Sequence, residues 1–280
     1  LSDAYVKLEK DITVPGSWTP LTFSGHFDGD GHSVTITVDD PSLRYFGFFG
    51  CLDSKIDRDS TTSIDDQPTV VVENLTVNGT VYCSEPYAHV GGIAGYADDT
   101  TKLLNCRNKC IVVSGQSTYP YVSDPESVIR YAGGIVGYNA GSVTACCNAG
   151  TVTGIDSVGG ITGGGPGTVS DCYNVGAVTA SGQNAGGIAG NGGTVSYSYN
   201  VGTVTGGAEI ANNAAVNDCC FLGAAGQTAG AFADGTVLAA LIAGRAKLCS
   251  AAILAGICGF PACVFFALGA LGMVCMCVFA

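Results

Sequence analysis

The chain has 280 residues, of which 42 are glycine and only 12% are charged, and its formal net charge is -12. This length allows one large all-β domain or two ordinary domains, and the acidic balance, with no basic patch, excludes a nucleic-acid partner. From Tyr131 to Gly244 the sequence contains no Lys or Arg, which is typical of rigid extracellular repeats and argues against a cytosolic enzyme.

The first predicted elements form an atypical first coil. The segments YVKLEKDITVPGSWTPL from Tyr5 and FSGHFDGDGHSVTITV from Phe23 are rich in β-formers and are expected to cover the open end of a stacked core. Because the chain starts at Leu1 with neither Met nor a basic-then-apolar leader, we expect it to be a fragment or a processed form.

A cluster of histidines and acids lies inside this first coil, in the stretch GHFDGDGH. An EF-hand loop would require Gly where Ser33 stands, so the cluster predicts a tight Asp-Gly turn between two strands rather than a metal or acid–base site. The residues concerned are His26, Asp28, Asp30 and His32.

The next elements are less regular versions of the repeats that follow. FGFFG from Phe46 to Gly50 predicts a bend with inward aromatic side chains, and VENLTVNGTV from Val72 to Val81 places Asn78 where later copies carry a marker asparagine. Both segments are therefore read as earlier coils of the same stack.

Two independent markers then repeat with the same step. Units of the form GG-β-branched-x-G are spaced by 42, 26 and 27 residues, and the asparagines of a second marker, as in CYNVGAVT, by 40, 26 and 26. Internal repeats of this length indicate a solenoid, since propeller blades need about 40 residues. The first set starts at Gly91, Gly133, Gly159 and Gly186, and the second set is Asn108, Asn148, Asn174 and Asn200.

Within one copy, from Val158 to Asn184, the segments VGGITG, TVSDCYN and GAVTAS are bounded by Gly, Pro, Asn and Asp and predict three short strands. Stacked in register about 4.8 Å apart, such copies predict an all-β, right-handed parallel β-helix (β-solenoid) of about six coils with three strands per coil.

In such a stack, equivalent residues lie over one another, so the repeated isoleucines are expected to form an inward aliphatic column. The cysteines two residues before the marker asparagines keep the same register, with Ser198 in the fourth copy. They are expected to be buried as packing thiols or to be bridged as disulfides between neighbouring coils. The predicted columns are Ile93, Ile135, Ile161 and Ile188, and Cys106, Cys146 and Cys172.

Two polar segments, 51–68 and 115–127, interrupt the period. Insertions into a coil emerge from the solenoid surface and often bind ligands, although they also occur as tolerated surface loops. If the second insertion is a ligand-contact loop, its candidate residues are Tyr119, Tyr121 and Asp124.

The series LEKDITVPGSWTPLTFSGHFDGDGHSVTI, FGFFG, VENLTVNGTV and VGGIAGY…NCRN resembles the GLUG-motif repeat proteins over about residues 5 to 225. The resemblance implies a β-helical stalk or adhesive module of a secreted or surface-attached bacterial protein, with any enzymatic activity carried by other domains. The high cysteine count and the C-terminal tail depart from that family.

The tail from Leu248 to Ala280 is apolar and uncharged, long enough for a membrane-spanning helix. A transmembrane anchor, a removable glycolipid-anchor signal and a stretch without an anchoring role all fit, and the flanking Arg245 and Lys247 argue weakly against an outside solenoid. We predict a β-helix over 1–225, a linker over 226–247 and a hydrophobic membrane-anchor helix over 248–280.

The regular coils offer no catalytic constellation, because Asp156 and Asp171 stand alone without a nearby Lys, Arg or His. No zinc spacing and no cofactor motif occurs. The sequence therefore predicts a non-enzymatic cell-surface adhesin or stalk that contacts a host or matrix protein or glycan and is tethered to a membrane through residues 248–280. A β-helical polysaccharide lyase or glycoside hydrolase is the alternative.

Overall fold

The described part of the chain folds into short β-strands, nearly all of them in parallel pairs, with almost no helix. The computed structural model describes residues 4–54, 69–84, 88–115, 130–182 and 184–222, and in the C-terminal part residues 227–228, 231, 236–237, 239–240, 265–266 and 274–275. Residues 1–222 and 223–280 form two compact units. The first unit has a parallel β-helix-like fold built from four parallel sheets.

Each turn of the chain adds strands to the four sheets in a constant order. Sheet 1 comprises Ala4–Lys7, Gly25–Asp28, Val71–Glu73, Lys102–Leu104, Ser142–Thr144, Thr168–Ser170, Thr194–Ser196 and Ala215–Asn217. Sheet 2 comprises Tyr45–Phe46, His89–Gly91, Tyr131–Gly133, Ser157–Gly159, Asn184–Gly186 and Gly207–Ala208. Sheet 3 comprises Leu21–Phe23, Phe49–Leu52, Ala94–Ala97, Val136–Asn139, Thr162–Gly164 and Ala189–Asn191.

Sheet 4 begins with long strands that divide in the later coils. Its first members are Ile12–Thr13, Ser33–Val38 and Thr76–Cys83, and the last of these pairs with two shorter strands of the next coil. One branch contains Arg107–Asn108, Cys147–Asn148, Tyr173–Asn174, Tyr199–Asn200 and Cys220–Phe221. The other contains Ile111–Ser114, Val152–Gly154, Val178–Ala180 and Val204–Thr205.

The strands pair with their equivalents one repeat away, so the register follows the sequence period. Val143 pairs with Val169 and Val169 with Val195, a step of 26 residues. All three valines are buried, while the residues on either side of each point outward and are less buried. This alternation is the period of two expected of a strand with one face on the core.

A regular coil contains five strands where the sequence predicted three. The predicted strand VGGITG is bent after Gly159 and contributes to sheets 2 and 3, and the predicted strand TVSDCYN is bent at Asp171, whose φ of 58° is left-handed. Both bends lie inside segments that read as single strands between stronger Gly, Pro and Asn clusters, one at Gly159–Gly160 and the other at Asp171, so the sequence did not predict them.

The core is a set of columns that run through the coils. Ile93, Ile135, Ile161 and Ile188 are fully buried, and the amide of each donates to the carbonyl oxygen of the next at 3.0, 2.9 and 2.8 Å. Ile188 in turn donates to Ile210 at 2.7 Å. The isoleucines thus form one continuous column.

Aromatic side chains close the N-terminal end of this core. The indole of Trp18 stacks on Phe48 with ring centroids 5.5 Å apart, and its Nε1 donates to the Phe48 carbonyl at 2.7 Å. Phe27 packs edge-on against both Phe48 and Phe49. FGFFG therefore points its aromatic rings into the core, where they take the place of the aliphatic residues of later coils.

The predicted anchor segment 248–280 lies outside the described residues except for two strands, Phe265–Phe266 and Val274–Cys275, which pair antiparallel. Among the described residues, no helix has the length and apolar character needed to cross a membrane. Most of the predicted linker 226–247 is also outside the described residues.

Candidate functional site

The marker asparagines form a buried column that is part of the framework. All four side chains are fully buried, and the amide nitrogen of each donates to the amide oxygen of the next at 2.7, 2.7 and 2.8 Å. Each carboxamide also closes its own turn: for Asn174, Nδ2 donates to the Gly176 carbonyl at 2.8 Å and Oδ1 accepts from the Gly176 amide at 3.2 Å. The column consists of Asn108, Asn148, Asn174 and Asn200.

The two sequence markers meet across the core of each coil. A Cβ on Gly160 would lie 2.5 Å from the Cγ of Asn174 and would also overlap the Gly187 carbonyl. Gly92, Gly134 and Gly187 have the same relation to the asparagines of their own coils. The second glycine of each GG unit is therefore required by the carboxamide opposite, which explains why the two markers recur together.

The predicted cysteine column is also internal. The Cys106 amide donates to the sulfur of Cys146, the Cys146 amide to the sulfur of Cys172, both at 3.3 Å, and the Cys172 amide to Ser198 Oγ at 3.1 Å. Burial raises the pKa of the Cys106 and Cys146 thiols well above 9.0. Among the described residues these cysteines are free thiols, and neutral, buried thiols are unreactive.

The register corrects one prediction about the asparagine marker. Asn108 pairs with Val77, not with Asn78, and Asn78 pairs with Thr35 of the preceding coil. Val77 is fully buried whereas Asn78 is half-buried. The column therefore begins at Asn108, and the NGT of Asn78 belongs to a continuous long strand instead of a marker corner.

The GHFDGDGH residues divide between a strand and a turn. His26 and Asp28 lie on sheet 1, while Asp30 and Gly31 form a turn with φ values of 49° and 78°. His32 is on the far side of that turn, where its Nδ1 lies 3.5 Å from Asp11 Oδ1. The predicted Asp-Gly turn is present, but it covers only part of the motif.

Around His26 and Asp28, sheet 1 carries a polar patch that the sequence did not reveal. His26 Nε2 lies 2.7 Å from Glu73 Oε1, and Asn74 donates to Asp28 at 3.1 Å. Burial acts to raise the pKa of Asp28, but hydrogen bonds from the Asp30 amide and from Asn74, with the Lys7 charge, outweigh it and lower the pKa. Within the described residues no group of three or more His, Cys, Asp or Glu is arranged to hold a metal ion.

A second surface feature is a cluster of five aromatic side chains where sheets 2 and 3 meet, which we call the aromatic cluster. Tyr96 and Tyr138 of sheet 3 stack with centroids 5.6 Å apart and planes 3° from parallel. His89 lies 5.1 Å from Tyr131 and 5.7 Å from Tyr138. All members are half-buried, and the cluster comprises Tyr45, His89, Tyr96, Tyr131 and Tyr138.

His89 is the unusual member of the aromatic cluster. Its Nδ1 is buried and has no hydrogen-bond partner among the described residues. Burial, assisted by the charge of Arg44, lowers the pKa of His89 from 6.5 to about 4, and the nearby Ala88 backbone opposes this shift only in part. Burial also raises the pKa of Tyr96 to about 12, and Cys51 and nearby acids add to the shift. His89 and Tyr96 are therefore uncharged near neutral pH, and the cluster contains one buried polar atom, His89 Nδ1, that makes no hydrogen bond of ordinary geometry among the described residues.

The predicted contact residues Tyr119, Tyr121 and Asp124 lie outside the described residues, but the attachment of their insertion is visible. The described chain resumes at Arg130, directly before Tyr131 of the aromatic cluster. The sequence carried a signal for the cluster itself, since HVGGIAGY and YAGGIVGY flank the GG unit with aromatic residues at both ends. Only the folded coil shows that these two ends meet.

Comparisons with known proteins give a fold likeness only. No family model and no curated protein matches the chain. A crystal structure named as a "putative immunoglobulin A1 protease" from Bacteroides ovatus is similar, with 21% sequence identity and a TM-score of 0.55, over 79% of this chain and 70% of that chain. At this identity, the likeness supports the parallel β-helix-like fold and does not carry function.

Proposed function

We propose that the chain is a non-enzymatic repeat module of a cell surface, acting as an adhesin or as a rigid stalk. The observation that supports this proposal is the use of the repeated polar side chains inside the stack: the asparagines bond to each other and to their own turns, and the cysteines are buried neighbours. What the regular coils repeat is thus framework chemistry, which makes a stiff spacer.

The finer parts of the proposal concern the stack and its placement. We take the solenoid to be right-handed with about six coils, to be exported, and to be held at a membrane through residues 248–280, in keeping with the GLUG-like repeats. Surface contacts with a host or matrix protein or glycan are assigned to the insertion 115–127 and to the outer faces beside it.

An adhesion assay tests this function. Beads coated with the full chain are expected to be retained on cells or extracellular matrix. Deletion of 115–127 is expected to abolish retention with the melting temperature unchanged, because it removes none of the described strands and falls between Ile111–Ser114 and Tyr131–Gly133 in the sequence. Retention that survives the deletion removes the insertion from the contact surface. If the beads are retained on no surface, the adhesin is rejected and only the stalk function remains.

A carbohydrate-active enzyme is the second candidate, and the polar patch of sheet 1 favours it. The patch combines a carboxylate, Glu73, with a histidine 2.7 Å away, and the register places Asp28 on the neighbouring strand beside Glu73. Carboxylates grouped on one outer face are what glycoside hydrolysis requires. The lowered pKa of Asp28 suits a charge-stabilising or basic role better than that of a general acid.

Product release distinguishes the enzyme from the adhesin. Neutral and uronate polysaccharides are incubated with the full chain, and new reducing ends or unsaturated ends are measured. An enzyme would release products and lose activity in Glu73→Gln. The matched control is Asp11→Asn, which alters another carboxylate beside a histidine away from the patch. Absence of product from all polysaccharides would reject the enzyme and leave the adhesin.

A further inference from the structure

We infer that the aromatic cluster is a binding site for an extended, neutral glycan that runs along the axis of the coils. This inference deepens the adhesive form of the proposed function and rests on it. It starts from three features of the described surface: the ring positions, the lack of charge, and the unused imidazole nitrogen.

The ring positions give a spacing along the axis. Tyr45 pairs with His89 and His89 with Tyr131, so three rings of sheet 2 succeed one another by single coils. Adjacent parallel strands are about 4.8 Å apart, which is comparable with the length of one hexose in an extended chain. Such a glycan would meet one ring per sugar.

An extended peptide fits this spacing less well. It advances about 3.3 Å per residue, with side chains on one face every 6.6 Å or so, out of step with rings one coil apart. A polyproline helix is the stronger competitor, since its turn of roughly 9 Å spans two coils and such helices dock in aromatic-lined grooves. It therefore belongs in the test.

The charges around the aromatic cluster do not favour an acidic ligand, and the cluster suits a neutral one. With the pKa of His89 near 4 and that of Tyr96 near 12, neither of these two rings is charged near neutral pH. The adjacent charges also have both signs, with the Arg44 guanidinium 5.9 Å from the Tyr45 ring centre and Asp98 on the side of Tyr96. No net field favours a polyanion.

The imidazole supplies the polar contact. A buried polar atom without a partner is unfavourable, and Nδ1 of His89 is in this state. Sugar hydroxyl groups both donate and accept, so they can satisfy either tautomer of the ring, whereas the prolines of a polyproline helix offer only carbonyl acceptors. The apolar face of a sugar can pack on the aromatic rings, while its hydroxyl groups bond to the phenol and imidazole edges. A sugar therefore matches this amphipathic surface.

Calorimetric titration of the full chain with neutral hexose oligomers of several linkage types tests the inference. Uronate oligomers of equal length and a proline decamer serve as competing ligands. We expect at least one neutral oligomer to bind, and His89→Ala and Tyr138→Ala to weaken it about tenfold or more, as for a central aromatic contact. His89→Phe keeps a ring but removes the nitrogen, and a reduced affinity there assigns the hydrogen bond.

The control is a second stacked pair, Tyr173 and Tyr199, whose rings lie 5.2 Å apart on sheet 4. Tyr199→Ala should leave glycan binding unchanged, and circular dichroism melting establishes that each variant is folded. Binding of no neutral oligomer, binding unaffected in folded cluster variants, or binding of the proline decamer alone would overturn the inference. If coated beads adhere to cells and beads coated with the cluster variants adhere equally well, the glycan site is rejected but the adhesin function is retained. If beads do not adhere but oligomers bind to the cluster, the adhesin function is rejected and the glycan site is retained.

Discussion

At the scale of single residues, the meaning of a side chain depends on its copies in the neighbouring coils. Asn174 accepts a hydrogen bond from Asn148 and donates one to Asn200, whereas Asn200 lies at the end of the column, where Phe221 occupies the next position. Both asparagines make the same two bonds to their own turns. The two positions therefore differ by one bond between coils.

This difference predicts unequal effects of identical changes. Asn174→Ala breaks two bonds between coils and removes one hydrogen bond from each neighbouring asparagine, while Asn200→Ala breaks one. The first variant should be less stable than the second by roughly 1 kcal/mol or more, the net worth of a buried hydrogen bond and its unsatisfied partner. Urea unfolding measures both, and equal losses would show that the column contributes nothing beyond the individual turns.

His89 predicts a dependence of stability on pH. Its folded pKa of about 4 lies below the ordinary 6.5, so between these values the unfolded chain binds a proton that the folded chain does not. The contribution of His89 to the free energy of unfolding is near zero above pH 6.5. It becomes destabilising as pH falls towards 4, by at most about 3 kcal/mol. His89→Phe should flatten this part of the wild-type curve in urea unfolding, whereas Tyr138→Phe should retain it.

At the scale of elements, the GG units join two sheets by close backbone contact. Gly133 and Gly159 would place a Cβ against the carbonyl of residue 136 or 162 in the same unit, and Gly163 would place one 2.5 Å from the Ala132 amide of the preceding coil. Sheets 2 and 3 can approach each other this closely only because these residues carry a hydrogen atom in place of a side chain. The glycines are thus needed for proximity, since their φ values are not left-handed.

Two glycine substitutions distinguish the effect of a steric clash at a close backbone contact from the effect of replacing a glycine as such. Gly160→Ala brings a methyl group against the Asn174 carboxamide and the Gly187 backbone, whereas at Gly50 the nearest atom to a new Cβ is 3.3 Å away. We expect Gly160→Ala to lose about 3 kcal/mol or to misfold, as for severe overpacking, and Gly50→Ala to lose less than about 1 kcal/mol. Thermal unfolding of both compares them, and similar losses would reject the contact as the cause.

The sequence predicted the positions that repeat from coil to coil but not the bends that divide the strands. The columns of isoleucines and thiols could be predicted because a stack places equal residues over each other, whereas the sequence marked the register of the asparagines without indicating that they are buried. The division of VGGITG and TVSDCYN into four strands could not, because it depends on close contacts between coils. Glu73 escaped notice because its partner His26 is 47 residues away along the chain. The aromatic cluster was missed because it forms only when both ends of a GG unit converge.

At the scale of the whole molecule, the stack behaves as a one-dimensional array in which each coil bonds to the coils directly above and below. Val143, Val169 and Val195 lie in register, as do Tyr131, Ser157 and Asn184. In such arrays stability is nearly a sum of coil and interface contributions. An interior coil is therefore removable, provided that its neighbours present matching columns to each other.

Deletion of residues 157–182 tests this view, because it removes one coil of 26 residues and brings Ile135 over Ile188, Cys146 over Ser198 and Asn148 over Asn200. The shortened chain should fold to a β-rich state with a smaller urea m-value, since less surface is exposed on unfolding, and with a stability lower by one coil's contribution. Deletion of 157–169 removes half as many residues but places core positions against surface positions. It should therefore unfold or aggregate despite being the smaller change, and a half-coil deletion that folds as well as the full one would refute the column architecture.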